Sequence, residues 1–165
     1  MKSSILAVMI SVAPATAMAA SLPARAPGLW QATTTVTGAD GKPLPHASGV
    51  VTVSCVDALT DAKFFTSNES ACSHLVISGE GGRYAINGMC RQLGKTVKIH
   101  ETLVYASAQA VTLDAVFNSG DGPLHVSSRL QWQGACPDGM VPGDEGNMVN
   151  GTFSKADNIN DADNR

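Results

Sequence analysis

Thr96-Val97-Lys98-Ile99-His100-Glu101-Thr102-Leu103-Val104-Tyr105 and, after four intervening residues, Ala110-Val111-Thr112-Leu113-Asp114-Ala115-Val116-Phe117-Asn118 alternate apolar and polar side chains with a period of two. In the first, Val97, Ile99, Leu103 and Tyr105 fall on one face while Thr96, Lys98, His100 and Thr102 fall on the other, with Val104 out of pattern. In the second, Val111, Leu113, Ala115 and Phe117 share a face. That period belongs to strands buried on one side, not to helices. Residues 124–133 repeat it through Leu124, Val126, Leu130 and Trp132, and strand signals extend outward over residues 28–37, 47–56, 73–79 and 83–90. Gly38-Ala39-Asp40-Gly41, Gly79-Glu80-Gly81-Gly82 and Ser119-Gly120-Asp121-Gly122-Pro123 supply the positive φ values that short antiparallel connections require. Consecutive strands therefore pair mostly as a meander.

Only residues 57–65 read as helix, about two turns long, so no helical layer exists to cover the apolar side of the sheet. The expected fold is all-β: an antiparallel meander forming a strongly curved sheet or small barrel of about seven strands, with one short helix and disulfide staples. Two packed sheets are the alternative. The 165 residues, 44% hydrophobic and 15% charged, suit one domain, and 16 Gly with 8 Pro suit many turns. With 11 Lys plus Arg against 14 Asp plus Glu there is no basic excess to displace counterions from phosphates, which argues against nucleic acid as a partner.

Residues 1–19 have the three parts of a secretory signal: Lys2, an apolar run from Ile5, and Ala17-Met18-Ala19 before the cut. The run is too short to span a bilayer and contains Pro14, and no Cys follows the cut to carry a lipid. The expectation is a periplasmic or secreted chain without stable membrane insertion. Residues 20–153 then form a single β domain. Residues 154–165 hold one large apolar side chain, Ile159, among acids and asparagines, and read as a disordered acidic tail. A calcium loop through Asp157, Asp161 and Asp163 fails for want of the central Gly and the terminal Glu.

Four cysteines in an exported chain imply two disulfides. Cys72 and Cys90 are equidistant from the turn at 79–82, as are Val76 with Ile86 and His74 with Gly88, which sets the two cysteines opposite each other on a hairpin. This register favours Cys72–Cys90 with Cys55–Cys136, against Cys55–Cys72 with Cys90–Cys136. The nearest pair, Cys55 and Cys72, is 17 positions apart, so neither a Cys-x-x-Cys redox pair nor a zinc site with close ligand pairs is present.

Pro27-Gly28-Leu29-Trp30 after a signal segment, the spaced Cys55, Cys72 and Cys90, and Cys136-Pro137-Asp138-Gly139-Met140-Val141-Pro142-Gly143-Asp144 together resemble the bacterial domain-of-unknown-function 3617 family over Pro27 to about Asp144. The resemblance implies a small exported or lipid-anchored envelope protein and carries no activity, cofactor or catalytic residue. Gln31 stands where an acid commonly follows the Trp, and the lipid-attachment Cys of many members is missing. Trp30 reads as a core ring at the start of the first strand, and residues 136–144 as a loop pinned by its disulfide.

His46, His74, His100 and His125 lie in different segments without a second ligand at metal spacing, and Met89, Met140 and Met148 are too dispersed to suggest copper. No phosphate loop, dinucleotide fingerprint, nucleophile elbow or His-Glu-x-x-His occurs. No cofactor and no catalytic or metal residue is expected. Glu101 is the one polar anomaly, falling on the apolar face with Val97, Ile99 and Leu103. Either it is a polar contact in a ligand cavity lined by Val97, Ile99, Leu103, Leu113 and Phe117, with Arg129 or Ser128 as partners, or a bulge turns it outward. The favoured reading is a non-enzymatic module that binds a small apolar or amphipathic ligand or an envelope protein. The alternatives are an enzyme using Glu101, His100 and Arg129, or a structural envelope protein without ligand.

Overall fold

The computed structural model describes residues 20–66, 72–92, 94–120 and 122–161. The signal expected over 1–19 and the last four residues of the tail lie outside the described residues. Nine strands form one antiparallel sheet: β1 Gly28–Thr37, β2 Val50–Val56, β3 Cys72–Glu80, β4 Arg83–Gln92, β5 Lys95–Ser107, β6 Ala110–Asn118, β7 Pro123–Gly134, β8 Asp144–Val149 and β9 Thr152–Asn158. A four-residue helix, α1, spans Lys63–Thr66. The spatial order is β3-β4-β5-β6-β7-β1-β2-β8-β9. The expected meander is the run from β3 to β7, and β1 returns to lie beside β7.

The sheet remains open between β3 and β9. It nevertheless curls. One core cluster joins Val56 of β2 with Ile86, Leu103 and Val111 of β4 to β6 and takes in Leu75 and Ile77 of β3. Arg25, on this side, acts electrostatically on both Tyr105 of β5 and Glu145 of β8, which a flat sheet would hold five strand spacings, about 24 Å, apart. A second cluster, Cys90, Val97 and Ile99 with Cys72 and Phe117, continues this inner side, whereas Val53, Cys55 and Met140 form a third on the opposite side. That third cluster lies beneath the loop of residues 136–143, as the pinned-loop reading expected.

Both disulfides follow the favoured pairing, Cys55–Cys136 and Cys72–Cys90. Cys72 does face Cys90, but the rest of the expected register is displaced by one: Val76 pairs with Asn87 and Ile77 with Ile86. The cause is a bulge between Ser73 and Val76 that places His74 and Leu75 opposite Gly88, with His74 at φ 58°. The tail needs correction too. Residues 154–158 belong to β9, paired with β8, and Asn158 is buried. The hairpin turn is Asn150-Gly151, with φ of 50° and 79°, and polar pairing rather than apolar burial holds it.

Candidate functional site

The inner side is filled first by the chain that precedes β1. Arg25 is buried, and its guanidinium lies 4.8 Å from the Trp30 ring centre, 5.6 Å from Phe64 and 4.6 Å from Phe65. Asp61 receives hydrogen bonds from Arg25 Nε at 2.6 Å and from the Arg25 backbone N–H at 2.7 Å. The Asp57 carboxylate fixes the turn that delivers Asp61 and α1, accepting from the Thr60 hydroxyl and from the backbone N–H groups of Thr60 and Leu59, and these bonds lower its pKa. Arg25 Nη2 and the Tyr105 hydroxyl are both buried without a hydrogen-bond partner. Burial pushes the Tyr105 phenol up to about 12, with Asp61 nearby acting the same way. Sequence reasoning missed Arg25, Asp61, Phe64 and Phe65 as a unit, because no local period marks contacts between segments 36 residues apart.

The Pro27-Gly28-Leu29-Trp30 opening anchors this plug. Trp30 Nε1 donates to Ala26 O at 2.8 Å and Trp132 Nε1 to Pro27 O at 3.0 Å, so two indoles hold the backbone on either side of the proline. Gly28 at φ 131° presses against the Gly134 backbone and the Trp132 indole, where any Cβ would collide. Trp30 is 1% exposed, the expected core ring.

Val97, Ile99, Leu103, Leu113 and Phe117 lie on the inner side, as expected, and Glu101 lies there with them. They do not form one group: Leu103 and Leu113 belong to the main core, and Val97, Ile99 and Phe117 to the cluster beside the Cys72–Cys90 bridge. Glu101 sits between the two. It pairs regularly with Ile86 and Ala115, so no bulge turns it outward; the irregularity of β5 falls at Tyr105 to Ser107. Neither expected partner reaches it. Arg129 is exposed on the other side, and Ser128 bonds Thr34 across the sheet at 2.8 Å. The Glu101 carboxyl has no hydrogen bond or ion pair among the described residues, and burial alone pushes its pKa up to about 7.

Among the described residues, two of the hollows open on the outer side. The larger, about 450 Å³, is lined by His74, Asn87, Met89, Lys98, His100 and Val116 among others, and it shares only Ile99 with the expected cavity residues. The smaller, about 270 Å³, includes Val104, Thr112, Arg129 and Gln131. Thus Glu101 faces inward while His100 and Arg129 face outward over different hollows, and the three do not converge.

No three His, Cys, Asp or Glu side chains among the described residues group as metal ligands, and no described helix is long and apolar enough to cross a membrane. No curated protein and no solved structure matches the chain. A family model does, over residues 25–136, a span that opens on the buried Arg25 and closes on the disulfide-bonded Cys136 but stops short of β8 and β9. The chain belongs to the family described as protein of unknown function (DUF3617).

Proposed function

We propose that the protein is exported and acts without catalysis, as a β module that binds a small apolar or amphipathic ligand on the inner side of its open sheet. The observation that carries this reading is Glu101, a carboxyl without a protein partner on an otherwise apolar surface. Around it the packing loosens: Leu113 and Phe117 are half-buried, and Leu124, opposite Phe117, is 42% exposed. An apolar chain laid along this row would cover Phe117 and Leu124 while Glu101 meets its polar end. Export is supported by the N-terminal signal pattern and by four cysteines all engaged in disulfides. The absence of a converging acid–base pair among Glu101, His100 and Arg129 supports a binding role over an enzymatic one.

An envelope protein as partner is the second reading, favoured by the exposed Val51, Met148 and Val149 on the neighbouring strands β2 and β8. The neutral amphipathic fluorophore N-phenyl-1-naphthylamine separates the two. Binding on the inner side raises its emission saturably with the oxidised full chain, and Phe117→Ala weakens that response several-fold. Emission that does not saturate, or that Phe117→Ala leaves unchanged, overturns the ligand reading.

A further inference from the structure

The bulge in β3 brings together side chains that the sequence keeps far apart. His74 is lifted over the outer side by its left-handed backbone, a conformation that residues other than glycine adopt uncommonly. It shares the 450 Å³ hollow with Met89 of β4 and His100 of β5. All three are exposed, Met89 by 39%. The His100 ring is already oriented: its Nδ1 is 2.6 Å from Asn87 Oδ1, an acceptor that holds the proton on Nδ1 and leaves the Nε2 lone pair for a ligand. Metal-ligating histidines are oriented in this way by an outer partner on the second ring nitrogen.

We propose that this hollow binds a soft monovalent d10 cation, Cu(I) or its analogue Ag(I), through His74, His100 and the Met89 thioether, with Asn87 as the positioning residue for His100. The donor set selects the metal. Zinc sites take at least three His, Cys, Asp or Glu ligands and calcium a shell of about six to eight oxygens, and no third His, Cys, Asp or Glu joins the group among the described residues. Two imidazoles and a thioether suit a soft ion that accepts low coordination. Every cysteine is in a disulfide, so no thiol competes for the ion. Lys98, also lining the hollow, opposes any cation there, which gives the proposal a sign that can be tested.

The test is titration of the oxidised full chain with silver nitrate in chloride-free buffer, which needs no reductant and leaves the bridges intact. Binding is read by calorimetry and by imidazole 15N shifts. The expected result is one ion per chain, with the His74 and His100 resonances shifting and those of His46 and His125 unmoved. Met89→Leu and His100→Ala each weaken binding at least tenfold, Asn87→Ala about tenfold, and Lys98→Met strengthens it. Because the shifts are read on the unaltered chain, a variant that fails to fold does not shield the proposal. Absent saturation, shifts centred on His125 or His46, or variants that bind like the parent overturn it.

Discussion

Arg25 and Glu101 both carry charge to the apolar inner side of the sheet, and only Arg25 has a counterion. Its pairing with Asp61 is short, buried and flanked by three aromatic rings. Removing one member strands the other charge, so Asp61→Ala should cost about 3–5 kcal/mol in urea unfolding. The joint replacement Arg25→Met with Asp61→Leu should recover most of that loss, because it buries no unpaired charge. Glu101 behaves in the opposite sense. Its folded pKa of about 7 lies above the ordinary 4.5, so the folded state holds the proton more tightly than the unfolded chain. That stability is fully present below about pH 4.5 and is lost as pH rises towards 7. Glu101→Gln should therefore be more stable than the parent at pH 8, by at most about 3 kcal/mol, and match it near pH 4.5. Glu145, raised by burial and by Asp157, contributes with the same sign, so the difference between parent and variant is what isolates Glu101. Parallel pH profiles would contradict this. Glu101 was legible in the sequence as an anomaly, because a strand's alternation assigns its face from neighbours alone, but periodicity left open a bulge that would turn it outward, and the regular pairing with Ile86 and Ala115 removes that bulge. Arg25 was not, because the groups that neutralise and cover it, Asp61 and α1, lie 36 residues and more along the chain.

At the scale of elements, β8 and β9 form a hairpin held by polar groups around one buried carboxylate. Asp144 is 2% exposed, meets Lys155 Nζ at 2.7 Å, and accepts hydrogen bonds from Asn158 Nδ2 at 2.8 Å and Val141 N–H at 2.9 Å. Burial acts to raise its pKa, but these partners outweigh burial and lower it. Asp144→Ala should remove hydrogen-exchange protection from residues 144–158 while β3 to β7 keep theirs; Lys155→Ala, with the lysine half in solvent, should do so only weakly. Equal loss across the whole sheet would show that the hairpin is not a separate unit. The seven strands read from the sequence are present with ends shifted by at most three residues, β1 and β6 without any shift. Those strands bury one face, and burial is what writes a period of two into sequence. β8 and β9 contain no such period, and their one local signal was Asn150-Gly151 between Val149 and Thr152. The bulge at His74 left no mark either, since an extra residue changes which side chains meet without changing composition.

At the scale of the molecule, an open sheet of nine strands has two edges to protect, and the chain treats them differently. At β3 the bulge interrupts the edge, and the Ala20 N–H donates to Ile77 O. At β9 the edge carries Lys155 and Asp157, and Lys63 Nζ of α1 donates to Asn160 just beyond the strand. The two disulfides reinforce the same division. Cys72–Cys90 closes 18 residues within one hairpin, whereas Cys55–Cys136 closes 81 and ties β2 to the chain leaving β7. By loop entropy alone the first contributes about 3 kcal/mol and the second about 4.5 kcal/mol. The second bridge does more than shorten the unfolded chain, because Cys55 and Cys136 pack with Met140, Leu29 and Phe153 beneath the loop that leads into β8. Replacing both with serine should therefore lower the urea midpoint more than replacing Cys72 and Cys90. It should also release the segment from residue 136 onward to proteolysis at urea concentrations where β3 to β7 remain folded. If instead both double variants unfold in one step with equal midpoints, the 136–143 loop contributes nothing of its own, and β8 and β9 would have to be held by their pairing with β2 alone.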